Sequence, residues 1–325
     1  MAKGRRRAKK VLAVLAVVAA VVWAVNTSRF TEPGGEPLLL AHRGLGQTFD
    51  LEGVENDTCT AEIIHDPEHP YLENTLPSMQ EAFDAGADIV ELDIHQTADN
   101  RLVVFHDWTL ECRTEGTGEV GDATVEELQR LDAGYGYTAD GGRTFPFRGK
   151  GVGMIPTLDQ VLDAFPDRRL LLHLKGDDPS DGKLLAVRLQ QFSPNRLEQL
   201  AVYGGNRSVA AAAAELPGLR AMSRATLKSC LGWYVALGWT SYVPSTCEGE
   251  QLHIPDKIGP WLWGWPHKFV DRMEAHDVRV VAVRGSLGFS AGFDSAEDIG
   301  DLPDGFAGVV WTNRIDKVAA LLKES

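Results

Sequence analysis

Short apolar runs recur along the chain, and between most of them lie segments whose apolar residues repeat at helical spacing. The runs fall at 37–41, 87–95, 102–107, 169–176, 200–203, 220–223, 242–244, 279–283 and 308–312. Each is too short for a helix and most are rich in Val, Leu and Ile, which predicts buried strands. Between them the pattern predicts helices over 182–192, 208–216, 265–276 and 315–323. Three more helices announce their starts. Thr75 or Asn74 can cap one with Pro77 in its first turn and Leu76, Met79, Phe83 and Ala87 inward. Thr124 with Glu127 has capping-box spacing, and Thr157 opens a third running to Phe165. Strand and helix in alternation imply a parallel sheet. Polar residues gathered at strand ends point to an α/β fold, a (β/α)8 TIM barrel with loop insertions. Nine candidate strands compete for eight places, so 242–244 is expected to be peripheral.

The run 87–95 departs from its neighbours. Ile89, Val90, Leu92 and Ile94 are apolar, yet Glu91, Asp93 and His95 occupy alternate positions, and side chains two apart on a strand share a face. Two buried carboxylates on one face repel each other and carry a desolvation cost of roughly several kcal/mol each unless a cation offsets it. A divalent metal is the economical explanation, with a solvated strand face as the bland alternative. The following run ends in His106-Asp107, and 169–176 places His173 and Lys175 on one face at its C-terminal end.

Composition narrows the setting. Lys3, Arg5, Arg6, Arg7, Lys9 and Lys10 precede the apolar stretch Val11 to Val25. That stretch is short for a span of about 20 residues and suits an export signal, an uncleaved anchor being the alternative. Residues 1–30 therefore form a leader, 26–36 a Pro/Gly linker, and 31–325 a barrel domain lying outside the cytoplasm, secreted or anchored. Without the six leader cations, 26 basic residues face 46 acidic ones, the opposite of a nucleic-acid binder. Cys59, Cys112, Cys230 and Cys247 suit an exported protein with two disulfides. Three pairings exist, and buried free thiols are the alternative; Cys59 with Cys112 and Cys230 with Cys247 is the expected one. His65 and His69 sit among prolines and read as a solvated loop. The insertion spans about 108–156, and its seven-glycine part, 132–156, is too long for a passive connector and is expected to face substrate.

Taken together, the motifs resemble one family, the glycerophosphodiester phosphodiesterases. The pieces are Ala41-His42-Arg43-Gly44, Glu73-Asn74-Thr75, Gly86-Ala87-Asp88 with Glu91-x-Asp93, Val103-Val104-x-His106-Asp107, Arg113-Thr114, Ile155-Pro156-Thr157-Leu158 and Trp311-Thr312-Asn313-Arg314. They are dense in the first half and thin in the second. The resemblance implies a (β/α)8 barrel with an insertion, His42 and His106 as the acid/base pair, and Glu91 and Asp93 holding one divalent cation. It also implies Arg43 and Lys175 on the phosphate and Trp311 at the substrate. The family has Glu where this chain has His173, two residues before the lysine. An imidazole ligand suits Mn²⁺ or Zn²⁺ better than Ca²⁺ or Mg²⁺, and Glu73 is the carboxylate that could stand in for the missing one. His95 is a further candidate at the site.

The expected activity is metal-dependent hydrolysis of glycerophosphodiesters, small or lysolipid, to a glycerol phosphate and an alcohol. Two alternatives stand beside it. One is a phospholipase D-like enzyme that releases a cyclic phosphate, and the other a lapsed barrel that only binds. Membrane association would run through the N-terminus. Trp261, Trp263 and Trp265 read as core, with a lipid-contacting lip as the competing reading.

Overall fold

The computed structural model describes residues 2–29, 31, 34–55, 58–286 and 289–323. Ten strands form in it: β1 Leu38–Ala41, β2 Ile89–Gln96, β3 Leu102–Val104, β4 Arg169–Leu174, β5 Leu200–Gly204, β6 Arg220–Ser223, β7 Gln251–Pro255, β8 Arg279–Ser286, β9 Phe289–Ala291 and β10 Val309–Thr312. Eight of them run in the order β6-β5-β4-β2-β1-β10-β8-β7, every neighbouring pair parallel. A parallel bridge between Ala221 and Glu250 brings β6 and β7 together, so the sheet is a nearly closed (β/α)8 barrel.

Alternation along the strands sorts the core into two layers. Leu40, Ile89, Leu171, Ala201, Val281, Val309 and Trp311 fill the inside. Their neighbours Leu39, Val90, Leu92, Leu172 and Val310 face the helices. On β2 this leaves Glu91 and Asp93 on the inward row above Ile89, toward the C-terminal rim where barrels of this kind keep their chemistry.

Two expected strands are corrected. The run 102–107 gives only Leu102–Val104, which pairs antiparallel with β2 outside the barrel, so His106 follows a short ribbon and not a barrel strand. Residues 242–244 form no strand, and the eighth barrel strand is β7, which the pattern missed. Its inward positions are the buried polar Gln251 and His253, so polarity hid a central strand.

The predicted caps are present. Thr75, not Asn74, accepts from the Ser78 amide, while Thr124 with Glu127 and Thr157 with Gln160 form capping boxes. Other helix starts shift by a few residues, the helix expected over 182–192 being Pro179–Leu189 and that over 265–276 being His267–Glu274. Both expected disulfides are made, Cys59–Cys112 and Cys230–Cys247. An apolar helix, Ala2–Asn26, precedes the barrel, and its stretch Lys9–Asn26 is long and apolar enough to cross a membrane, longer than the 15-residue run suggested. It takes in the first residue of the expected linker, of which Phe30, Glu32 and Pro33 lie outside the described residues.

Candidate active site

A cavity of about 420 Å³ opens among the C-terminal ends of the strands, lined by His42, Arg43, His106, His173, Lys175 and Trp311 among others. It is built first by the turn after β1. Gly44 has φ +77, and a Cβ there would lie 2.6 Å from Ser78 Oγ, so the chain can turn at this point only with glycine. Arg43 and Asn74 also hold positive φ, 59° and 60°. Non-glycine residues persist there only when surrounding bonds fix them, and such strain gathers at functional sites. Here the Asn74 amide N–H donates to the Arg43 carbonyl at 2.9 Å. The Arg43 amide donates to Glu91 Oε2 at 3.0 Å. The Asn74 side chain closes the frame, donating to Asp93 Oδ2 at 3.0 Å and accepting from the Asp93 amide at 3.1 Å.

Glu91 and Asp93 are fully buried side by side. Burial, reinforced by the like charge of Asp93, raises the Glu91 carboxyl, although Tyr203 donates its hydroxyl to Oε1 at 2.6 Å. Burial also works against ionising Asp93, but Lys175, His106 and Arg43 outweigh it and hold that carboxyl well below its usual range. Arg43 Nε lies 3.3 Å and Lys175 Nζ 3.6 Å from Asp93. His173 Nδ1 is 2.7 Å from Asp93 Oδ1 and 3.8 Å from Glu91 Oε1, with its ring stacked on Tyr203 at 4.2 Å.

Two further histidines, His42 and His106, are held by different partners. His42 Nδ1 faces Asn313 Oδ1 at 2.7 Å, and the amide is oriented because its Nδ2 donates to Asp294 Oδ2 at 2.8 Å. That fixes Nδ1 as the protonated nitrogen and leaves Nε2 as an acceptor, to which Arg43 Nε donates at 3.1 Å. His106 Nδ1 lies 2.6 Å from Asp107 Oδ1, and Asp107 pairs with Arg113 Nε at 2.9 Å. Arg113 extends the network to Glu73 at 3.3 Å and to the Tyr137 and Thr60 hydroxyls. Burial lowers both imidazoles, with Arg43 adding to it, His106 down to about 4 and His42 well below its usual range.

Residues 42–196 match the sequence profile of the glycerophosphoryl diester phosphodiesterase family. The matched stretch is just under half of the chain. It is 38% identical over 103 residues to a glycerophosphodiester phosphodiesterase of Caldanaerobacter subterraneus, covering 32% of this chain and 39% of the relative. It is 33% identical over 177 residues to an uncharacterized protein of Mycobacterium tuberculosis strain H37Rv, covering 54% and 56%. The chain thus spans about half the length of the curated relatives it matches. Among solved structures, the glycerophosphoryl diester phosphodiesterase domain of a Mycobacterium tuberculosis protein superposes with TM-score 0.62 at 21% identity, over 88% of this chain and 99% of that one. An Oleispira antarctica phosphodiesterase, solved with its product sn-glycerol-3-phosphate, gives 0.56 at 20%, over 89% and 97%. At these identities the superpositions bear on the fold.

Within the barrel, Glu91, Asp93 and His173 each offer a ligand atom within 4.8 Å of the others. Two buried carboxylates of which one resists ionisation, beside an imidazole, form a donor set that a divalent cation fits. The charge count agrees. With all four ionised, Glu73, Glu91, Asp93 and Asp107 outnumber Arg43, Arg113 and Lys175 by one, and a divalent ion that kept Glu91 ionised would bring the site to plus one, matched to a singly charged phosphodiester. Glu73 is not among the three; it bridges Arg43 at 3.0 Å and Arg113 at 3.3 Å. His95 is not among them either. Its ring meets Trp108 edge-on at 5.2 Å, and its Nε2 lies 3.4 Å from the His106 carbonyl, where it supports the His106 turn.

The glycine-rich stretch 132–156 does not line the main cavity, contrary to expectation. It packs behind the site, where Tyr137 and Phe147 form a small core with Ala61, Ile64 and Leu72. Sequence reasoning also missed Tyr203, His253, Asp294 and Tyr137. Tyr203 sits at the rim end of a predicted strand, a signal that was available. Asp294 lies in a connection with no motif of its own. Trp311 lies in the barrel with its indole N–H unpartnered, in ring contact with His42 at 4.7 Å and His253 at 5.2 Å.

Proposed function

We propose that this barrel hydrolyses phosphodiesters of glycerol with the help of one divalent cation. The observation that carries the reading is the cavity wall on which two differently partnered histidines stand beside a buried Glu91-Asp93-His173 donor set and the cations Arg43 and Lys175. A cation held by those three residues would supply charge neutralisation at a non-bridging phosphoryl oxygen. Arg43 and Lys175 add fixed positive charge for the anionic diester. His42, neutral with an unprotonated Nε2 that gives up its bond from Arg43 Nε as the diester draws that guanidinium to itself, takes the proton of the attacking hydroxyl, from water or the neighbouring glycerol oxygen. As the new P–O bond forms, the bond to the leaving alkoxide breaks, and His106 returns a proton to that oxygen.

The partners support this division of the two roles. An imidazolium has more support at His106, where Asp107 carries a full negative charge, than at His42, where the partner is a neutral amide and Arg43 lies alongside. A bound diester would offset Arg43 and lift His106 toward its working range. His173 makes Mn²⁺ or Zn²⁺ a better fit than an all-carboxylate site would be, with Ca²⁺ or Mg²⁺ as the competing ions.

One feature favours a lysolipid as a second substrate class. The cavity's outer wall includes Phe49, Leu51, Val54, Trp108 and Leu227, an apolar rim of the kind that accepts an acyl chain. A relative from Mus musculus, 31% identical over 141 residues, is a lysophospholipase D. We further propose that residues 1–30 act as export signal or anchor and leave 31–325 outside the cytoplasm, where both disulfides persist. The test is turnover of purified protein, stripped of metal and reloaded with each of Ca²⁺, Mg²⁺, Mn²⁺ and Zn²⁺, against glycerophosphodiesters and lysophospholipids, with phosphorus NMR of the product. Metal-dependent release of glycerol phosphate is expected. A cyclic phosphate end product would favour the phospholipase D-like chemistry, and no turnover with any ion would leave a binding-only barrel.

A further inference from the structure

The apolar helix Ala2–Asn26 does not merely precede the barrel. Its C-terminal end is fastened to it. Lys268 Nζ donates to the carbonyls of Ala24 at 3.1 Å and Val25 at 3.0 Å, and Arg272 donates to the Val25 carbonyl at 3.1 Å and Asn26 Oδ1 at 3.0 Å. Asn26 donates to the Trp239 carbonyl at 2.9 Å, and Ser28 to that of Gly264 at 2.7 Å. Two cations on the last carbonyls satisfy groups that the helix end leaves without partners and complement its negative pole. The same Arg272 side chain also reaches the Tyr234 hydroxyl and the carbonyls of Gly238 and Trp263, so it joins three segments at one point.

Around that point the barrel exposes large apolar side chains that a water-facing surface does not need. Trp233 is 56% exposed, Trp239 43%, Tyr242 54% and Trp261 83%, with Val235 and Leu237 between them. Trp263 donates its indole N–H to the Val235 carbonyl at 2.9 Å, which ties the 261–263 segment to the helix Arg224–Leu237. The Cys230–Cys247 disulfide holds that helix from its other side. The helix begins at the cavity wall, where Arg224 and Leu227 stand, so patch and cavity keep a fixed relation.

We infer that this face is a seat for the bilayer surface, with the apolar helix inserted and Trp233, Trp239, Tyr242 and Trp261 at the headgroup level. The occupant is set by continuity: the patch surrounds the foot of a helix apolar enough to span a membrane, and Trp and Tyr beside Lys268 and Arg272 have the composition of an interfacial belt. The inference rests on the anchor reading of residues 1–30 and adds that the barrel lies down on the membrane and does not swing from a tether.

The experiment uses the full chain in vesicles of phosphatidylcholine with phosphatidylglycerol. Flotation tests the anchor. Tryptophan quenching by lipids brominated near the headgroup tests the seat, comparing wild type with Trp233→Phe/Trp239→Phe/Trp261→Phe. The expected result is flotation of both proteins and a loss of at least half the quenching in the triple variant. Flotation with equal quenched intensity in both, the signal coming from Trp23 of the helix, overturns the seat and leaves the anchor standing. Failure of the wild type to float overturns both.

Discussion

His42 and His106 occupy comparable places in the cavity, each at the C-terminal side of a strand, yet the regions behind them differ in kind. Behind His42 lies a neutral relay, Asn313 held by Asp294. Behind His106 lies an ionic one, Asp107, Arg113 and Glu73, backed by the Tyr137 hydroxyl. A carboxylate stabilises an imidazolium and an amide oxygen does so weakly, so in the proposed reaction similar side chains take opposite tasks because of what stands one layer further out.

The largest effect that can break this comparison comes from removing each histidine in turn. His42→Ala and His106→Ala are each expected to lower kcat by roughly 10²- to 10⁴-fold with the fold intact by circular dichroism. A diester with p-nitrophenol as leaving group needs no proton at that oxygen. Turnover of it should recover in His106→Ala and not in His42→Ala, and recovery in the other variant would reverse the assignment.

The next largest concerns the cation proposed for Glu91, Asp93 and His173. In His173→Glu, calorimetric titration should show Ca²⁺ or Mg²⁺ gaining affinity relative to Mn²⁺ or Zn²⁺, and His173→Ala should weaken every ion. For wild type the affinity should fall only as pH drops below the ordinary histidine range, because the ring must be neutral to bind and burial holds its pKa down. Equal binding by all three proteins would place His173 outside the ligand set.

A smaller effect sharpens the contrast between the relays. Asp107→Asn removes the negative charge that supports the His106 imidazolium, so the alkaline limb of the kcat profile should move to lower pH by on the order of one unit. Asn313→Ala should leave that limb in place. Equal movement in both variants would mean that the partners do not divide the roles.

The smallest is in stability. Asp107 and Glu73 are held below the ordinary carboxylate range, burial being outweighed by Arg113 first in both. With folded pKa values below the unfolded ones, their contribution is complete above about pH 4 to 5 and is lost as pH falls further, since the unfolded chain takes up protons first. Thermal melting between pH 6 and 3 should show this fall in the wild type and a shallower one in Asp107→Asn. An unchanged slope would detach the ionic relay from folding.

The sequence by itself determined seven of the eight barrel strands, the caps at Thr75, Thr124 and Thr157, and the carboxylate row on β2. These depend on local spacing, which a side-chain period of two or a capping residue writes directly into the chain. It also carried His42, Arg43, His106 and Lys175, because they sit within compact motifs beside strand ends. Only the tertiary structure decided the rest. β7 was hidden because Gln251 and His253 face inward, so its identity depends on what the barrel interior accepts and not on its own polarity. Tyr203, Asp294 and Tyr137 act across separations of more than 18 residues, on Glu91, Asn313 and Arg113 respectively, and no local pattern records such pairs. The ribbon β3 looked like a barrel strand because burial on both faces reads the same whichever neighbour it pairs with. Strand direction and register are settled by closure of the sheet, a property of the whole chain.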